Sequence, residues 1–209
     1  MKIIDAGFQI MTPVNGAEIL KAIEQAGRVC YKSEEKITEG SAEKFVAGII
    51  KRGHEAVLEH QAITVKFIVD RGVSHEIVRH RLAAYCQEST RYCNYSKDKF
   101  GEEITVIRPC FWAEDSDQMK EWMSAMRMAE SHYFGLLAQG ASPQEARSVL
   151  PNSLKTEVVM TANLREWRHF FKLRTSPAAH PQMREVAIAL LLEFQRLVPV
   201  VFDDIEVTT

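Results

Sequence analysis

Apolar residues recur along this chain with two different periods, and the two together predict a mixture of helices and strands. Repeats of three or four residues are typical of helices with one buried face. The helical pattern covers six segments: 17–26 capped by Asn15, Ser41 to Gly53, 75–84 capped by Ser74, 115–137, 165–173 and 183–197. A further helical turn is expected at Ser142-Pro143.

Short runs rich in β-branched residues predict the strands. They cover 2–11, expected to be a single edge strand, and also 61–69, 104–107 and 154–162. The helices and strands do not alternate regularly, as they would in a doubly wound parallel sheet. The pattern therefore favours an α+β fold, formed by residues 1–209 as a single domain.

Composition and charge narrow the class of protein. Of 209 residues, 46% are hydrophobic and 26% charged, which excludes a disordered chain and a disulfide-stapled miniprotein. The formal net charge of -2 argues against a dedicated duplex-binding domain, which usually has a basic excess. Four cysteines without C-x-x-C spacing, no signal-peptide pattern and no apolar run of roughly 20 residues lead us to expect a cytoplasmic protein.

The densest polar stretch is Arg79-His80-Arg81, followed by Gln87-Glu88-Ser89-Thr90-Arg91-Tyr92. Guanidinium groups present fixed forks of N–H donors that match phosphate and carboxylate oxygens. The alternative is a solvated charged face. That alternative needs acids nearby, and only Glu76 and Glu88 are close in sequence.

A second basic cluster contains Arg165, Arg168, His169 and Arg174, and Arg147 stands apart from it. On a helix, Arg165 and His169 share one face. Each residue alone is typical of an exposed surface charge, so binding requires the clusters to converge in space.

Histidines and acids do not form a convincing metal motif. His54-Glu55 with Glu59-His60, and His75-Glu76 with His80, both depart from the spacing of a zinc protease helix. Structural or ligand-orienting histidines are favoured, and no metal is expected. A phosphate-binding P-loop, a Rossmann glycine motif and a nucleophile elbow are absent from the sequence, and no cysteine stands out as a nucleophile.

Four segments in order resemble the flavin-dependent thymidylate synthases, the ThyX family. Arg79-His80-Arg81, seven residues and then Ser89 resembles the signature R-H-R-x7-S of that family. His54-Glu55-x-x-x-Glu59-His60, Arg147-x-x-Leu150-Pro151 and the segment from Asn163 through Arg174 to His180-x-Gln182 resemble three others. The resemblance covers about residues 26–200.

The resemblance implies an enzyme that methylates dUMP to dTMP, with methylenetetrahydrofolate as carbon donor, FAD as hydride carrier and NADPH as reductant. It also implies a central, mostly antiparallel sheet flanked by helices, and a homotetramer with active sites at subunit interfaces. The implied FAD contacts are Arg79, His80, Arg81, Asn163, Arg165 and His169, with His54 placing the folate or nicotinamide. The implied dUMP contacts are Gln87, Ser89, Thr90, Arg91, Arg147, Arg174 and, more weakly, Glu76.

Arg174 is the implied catalytic residue. A guanidinium against the uracil stabilises a developing enolate-like anion and so makes the pyrimidine carbon nucleophilic. This route needs no protein thiol. The chain departs from the family at two positions: Glu76 replaces a frequent Gln, and Gln87 replaces a frequent Glu.

Two other interpretations use the same residues. The first is a non-catalytic module that binds nucleotides or RNA through the arginine clusters. The second is a hydrolase in which His80 works with Glu88 or Glu76 as acid–base partners. A bound flavin excludes the first, and turnover that needs neither flavin nor reductant identifies the second.

Overall fold

The computed structural model describes residues 1–207, the side chain of Lys99 excepted. Within that range the chain forms six strands and eight α-helices, with short 3-10 turns between them. The strands are β1 (Lys2–Ile4), β2 (Gly7–Ile10), β3 (Ala62–Asp70), β4 (Ala83–Gln87), β5 (Thr105–Ile107) and β6 (Lys155–Asn163). The helices are α1 (Gly16–Val29), α2 (Ser41–Lys51), α3 (Arg71–Ile77), α4 (Asp117–Ala138), α5 (Pro143–Ala146), α6 (Leu164–Arg174), α7 (Pro181–Leu197) and α8 (Pro199–Phe202).

The strands form two sheets, which confirms the α+β class. Four strands pair in the order β2-β3-β6-β4, and β1 pairs with β5 in parallel, with Lys2 opposite Thr105. That the four-stranded sheet is mostly antiparallel stays a prediction. The single edge strand predicted over 2–11 was wrong, because β1 and β2 belong to different sheets. The chain leaves the first sheet at Asp5, where Arg108 donates to the Asp5 carboxylate at 3.1 Å.

Two compact units share the chain. The first contains Met1–Gly7, Phe67–Arg79 and Tyr85–Val159. Its core joins β5 to one face of α4 through a set of buried side chains: Tyr95, Ile104, Val106, Met119, Trp122, Met126, Tyr133, Ala146 and Leu154. Burial of such a face holds the long helix α4 in place, as the 3.6-residue pattern predicts.

The second unit contains Phe8–Lys66, His80–Ala84 and the chain from Met160 on. Its core is aromatic and centres on α6. Trp167 packs against Phe194 with ring centroids 5.2 Å apart, and its indole N–H donates to the carbonyl of Ile63 at 3.0 Å. Because one side of α6 is fixed in this way, the directions of its remaining side chains are fixed too.

Strands β3 and β6 each lead into a helix without an intervening loop. Asp70 caps α3 by accepting the N–H of Val73 at 2.7 Å, and Asn163 caps α6 by accepting the N–H of Glu166 at 2.9 Å. Short oxygen-bearing side chains at this position satisfy otherwise unpaired helical N–H groups. The two caps therefore fix where α3 and α6 begin.

The helix predicted over 75–84 with Ser74 as its cap was wrong. Helix α3 ends at Ile77, and residues 83–87 form β4 at the edge of the four-stranded sheet. The Ser74 hydroxyl instead donates to the carbonyl of Arg71 at 2.8 Å. Pairing with β6 overrides the helical preference of the alanines in β4. As a result, Arg79-His80-Arg81 lies in the connection between α3 and β4 and not on a helix.

Other helix ends agree with the sequence. Gly53 adopts φ 71°, its N–H donates to Ile50, and the N–H of His54 donates to Ile49, which together end α2 in a Schellman motif. Ser142 and Glu145 form a capping box before α5. None of the helices in the described part of the chain combines the length and apolar character needed to cross a bilayer.

Candidate active site

Three side chains in one stripe of helix α6 contact the buried imidazole of His80. Glu166, Phe170 and Arg174 are spaced four residues apart, so they form one stripe along the helix. The Glu166 carboxylate lies 2.9 Å from Nδ1 of His80, and Arg174 donates through Nε to Nε2 at 3.1 Å. The Phe170 ring packs against the imidazole with centroids 4.9 Å apart. This stripe brings the predicted residues His80 and Arg174 into contact.

The partners of His80 define its protonation state. Burial lowers the pKa of the imidazole below its ordinary value of 6.5; Glu166 raises it, whereas Arg174 and His169 lower it further. His80 is therefore neutral near neutral pH. Because a guanidinium only donates, Nε2 must be the unprotonated acceptor and Nδ1 must carry the proton.

The pairing of His80 with Glu88 that a hydrolase would use finds no support. The acid on Nδ1 of His80 is Glu166. Glu88 accepts instead from the Tyr95 hydroxyl at 3.0 Å and from Lys155 at 2.9 Å.

The second basic cluster divides into buried and exposed members. Arg168 is 1% exposed and paired with Asp204 and Glu55, so it is a structural ion pair. Arg165 and His169 lie one turn apart on the same face of α6, as their spacing predicted, and both are exposed. Arg165 donates to Glu59 at 2.6 Å in a half-exposed pair, which is the kind of surface ion pair that contributes little and is readily exchanged for another anion.

The acids near His54 and His60 are thus paired with arginines, Glu55 with Arg168 and Glu59 with Arg165. Among the described residues, one group offers ligand atoms close enough for a metal ion: His80, Glu166 and His169. Both ring nitrogens of His80 are hydrogen-bonded within the protein, and one of them faces the Arg174 guanidinium. A cation at that point would be repelled by Arg174.

The first unit brings Arg147 to the signature segment. The residues Ser89–Tyr92, here called the Ser89 segment, form a turn in which the N–H of Cys93 donates to the carbonyl of Ser89 at 2.9 Å. Arg147 donates to the buried Thr90 hydroxyl at 3.4 Å, and Arg91 donates to Gln144 on α5 at 3.1 Å. Two basic groups that are distant in sequence therefore converge, as anion binding requires.

The arginines Arg79, Arg81, Arg91 and Arg147 are exposed, and each lacks a carboxylate partner among the described residues. A merely structural cluster would have its charges paired with acids. These exposed guanidinium groups therefore have N–H donors available to an anionic ligand, and that they bind one rather than form a solvated face stays a prediction.

The two polar residues beside the signature occupy different settings. Gln87 donates through its amide nitrogen to the Ser74 hydroxyl at 2.9 Å and to Thr156 at 3.3 Å, which points its carbonyl oxygen elsewhere. Glu76 lies half-buried in the last turn of α3. His54 is exposed just after the end of α2.

The chain matches the family model for thymidylate synthase complementing protein over residues 15–200. It is 33% identical over 190 residues to the flavin-dependent thymidylate synthase of Geobacter sulfurreducens, which covers 88% of this chain and 80% of that protein. It is 34% identical over 184 residues to the enzyme of the same name from Pyrococcus furiosus, covering 85% and 75% of the two chains. This chain belongs to the flavin-dependent thymidylate synthase family.

The fold of the family is also found in a solved structure. The UMP/dUMP methylase PolB from Streptomyces cacaoi, bound with 5-Br dUMP, superposes with a TM-score of 0.79. The match covers 97% of this chain and 96% of that one at 21% sequence identity. At that identity, the likeness shows a shared fold.

Two residues of this family member's site were missed by reasoning from sequence. Glu166 is one, and its signal was the four-residue spacing to Phe170 and Arg174 on α6. Gln144, which accepts from Arg91, is the other, and no local pattern identifies it.

Proposed function

We propose that this protein is a flavin-dependent thymidylate synthase that methylates C5 of dUMP to give dTMP. Methylenetetrahydrofolate is the carbon donor, FAD the hydride carrier and NADPH the reductant. The observation that carries the proposal is that Arg147 meets the Ser89 segment, which contains Arg91, with neither charge compensated by a carboxylate among the described residues. Membership of the family supplies the reaction.

The nucleotide would be bound by donors in and next to the Ser89 segment. Ser89, Thr90, Arg91 and Arg147 offer hydroxyl and guanidinium groups suited to a phosphate monoester. The carbonyl oxygen of Gln87 suits a sugar hydroxyl or a base N–H. Glu76 is the weakest member of this set, because a carboxylate beside a phosphate is unfavourable unless an arginine lies between them.

The donor set for FAD fits a pyrophosphate. Arg79 and Arg81 are exposed without acid partners among the described residues, and Arg165 holds Glu59 only in an exposed pair. Asn163 uses its side-chain oxygen as a helix cap, which leaves its amide N–H groups for a ligand. We further assign His169 and His54 to this side of the site, with His54 near the folate or nicotinamide. His80 is already bonded through both ring nitrogens, so its contribution runs through Arg174.

Arg174 is the proposed catalytic residue. Its positive charge against the uracil would favour loss of the N3 proton and stabilise the anion that makes C5 nucleophilic. Bound flavin would supply the hydride that completes the methyl group. No thiol has to attack the base, and the exposed Cys86 and half-buried Cys93 need no catalytic role.

We propose that the chain works as a single synthase domain and assembles into a homotetramer with active sites at the subunit interfaces. The exposed methionine Met128 on α4 agrees with a helix that has apolar surface left for such contacts.

The proposal is tested by reconstituting the reaction. Purified protein is incubated with dUMP, methylenetetrahydrofolate, FAD and NADPH, and dTMP is measured by chromatography, with each component omitted in turn. We expect a flavin absorbance band in the purified protein, and dTMP only when dUMP, methylenetetrahydrofolate, NADPH and bound or added FAD are all present. Formation of dTMP without flavin, or nucleotide binding with no turnover in the complete mixture, would contradict the proposal.

A further inference from the structure

Arg174 donates a hydrogen bond to Nε2 of His80, and this nitrogen can accept it in only one protonation form of the ring. Its Nε donates to Nε2 of His80 at 3.1 Å, and a guanidinium carries no acceptor atom. The contact therefore forms only when Nε2 is unprotonated. Either an imidazolium or a neutral imidazole with its proton on Nε2 would place two donors face to face.

Glu166 selects the required form. Its carboxylate only accepts, and it lies 2.9 Å from Nδ1 of His80. Both side chains are buried, with 6% and 3% exposure, so water does not readily replace the bond. A proton on Nδ1 satisfies Glu166 and Arg174 together, whereas a proton on Nε2 leaves both contacts unmade.

The surroundings hold this arrangement in one geometry. Phe170 packs on the imidazole at 4.9 Å, and the Asn163 cap fixes the first turn of α6, from which Glu166 projects. The groups that face His80 from α6 are Glu166, Arg174 and His169. The orientation of the Arg174 guanidinium thus depends on a proton that Glu166 keeps on the far side of the ring.

We propose that Glu166 is a positioning residue: by fixing His80 as the Nδ1–H tautomer, it orients the guanidinium of Arg174 for the chemistry at the uracil. This role rests on the proposed function for its catalytic meaning, but the tautomer and the hydrogen bonds do not. Glu166 touches neither substrate nor cofactor in this account.

The tautomer is measured directly by NMR on flavin-free protein labelled with 15N-histidine. The chain has seven histidines, and the His80 signals are assigned by their loss in His80→Gln. We expect a neutral ring with its proton on Nδ1, retained as the pH is lowered through 6.5, the ordinary pKa of histidine. An Nε2–H tautomer or an imidazolium at neutral pH would overturn the proposal.

Kinetic measurements distinguish a role of Glu166 in positioning Arg174 from a role in stabilising the fold. Glu166→Ala is expected to lower kcat by about 10- to 100-fold, because a misplaced catalytic group costs that much. Glu166→Gln, whose amide oxygen can still accept from Nδ1–H, is expected to keep kcat within about threefold of the original. The matched control is Glu24→Ala, which removes an equally buried carboxylate bonded to Arg28 and Ser41 and is expected to lower the Tm but not kcat.

Each result bears on the proposal. Wild-type kcat in Glu166→Ala, or an equal loss of kcat in Glu24→Ala, would overturn it. If Glu166→Ala does not fold, the His80 tautomer in the wild-type protein and the kcat of Glu166→Gln still test the proposal. A protein that shows the expected tautomer but makes no dTMP would refute the proposed function alone, whereas an active synthase with the wrong tautomer would refute only this inference.

Discussion

At the scale of single residues, the hydrogen-bond partners of each arginine show whether its charge is neutralised within the protein or is available to a ligand. Arg168 is buried and neutralised by Asp204 and Glu55, whereas Arg147 is exposed and donates only to the Thr90 hydroxyl among the described residues. A charged donor with spare N–H groups at an exposed position is suited to an anionic ligand. The sequence alone could not make this distinction, since both residues are arginines near apolar segments.

Replacement of Arg147 tests this distinction. Loss of a charge-assisted hydrogen bond costs about 1.5–3 kcal/mol, so Arg147→Ala should weaken dUMP binding by roughly 10- to 150-fold. Flavin content should change little. Calorimetric titration with dUMP checks the result. Arg196→Ala, which removes the same charge from an exposed pair with Glu193, is the control and should leave the affinity unchanged. Equal losses in the two variants would count against the assignment.

The His80 imidazole also makes stability depend on pH. Burial lowers the pKa of His80 in the folded chain below 6.5, its ordinary value, which it has in the unfolded chain. At a pH between the folded-state and unfolded-state pKa values, the unfolded chain therefore binds more protons than the folded one. The free energy of unfolding should therefore fall as the pH drops from about 6.5 towards the folded-state pKa. Urea denaturation over a pH series measures this, and the fall should be shallower in His80→Gln. If the free energy of unfolding falls equally or more steeply with decreasing pH in His80→Gln, His80 is not the group responsible.

At the scale of elements, helix and strand periods located most of the secondary structure. The caps at Asn15 and Gly53 are confirmed, as is the helical turn at Ser142-Pro143. The strand over 61–69 and the helix over 183–197 are confirmed to within a few residues. The prediction for the segment 75–84 was wrong because its residues favour a helix, and only pairing with the distant strand β6 makes 83–87 extended. The His80 contacts were unpredictable for the same reason: they join His80 to residues 86 and 94 positions away.

The start of α6 combines a structural and a proposed binding role in Asn163. Aspartate caps a helix as well as asparagine does, but it lacks N–H donors and adds a negative charge near an anionic cofactor. Asn163→Asp should therefore keep its thermal stability and lose flavin on dialysis. Asn163→Ala should lose flavin and also about 0.5–2 kcal/mol of stability. Retention of flavin by Asn163→Asp would show that the side chain serves only as a cap.

At the scale of the whole molecule, the proposed tetramer makes activity depend on assembly. Light scattering should give a mass four times the 23.8 kDa of one chain. Turnover per chain should fall at dilutions where that species dissociates, because a site shared by subunits is incomplete in a monomer. A monomer with full activity would refute the shared site while leaving the reaction itself untouched.

The central claim is that Arg174, and no thiol, activates the uracil in a flavin-dependent methylation. Release of tritium from C5-labelled dUMP in the complete reaction mixture measures that activation most directly. Wild-type protein and a Cys86→Ala/Cys93→Ala variant should both release tritium, whereas Arg174→Ala with normal flavin content should release almost none. Release by Arg174→Ala at the wild-type rate, or its loss in a folded cysteine variant, would contradict the account.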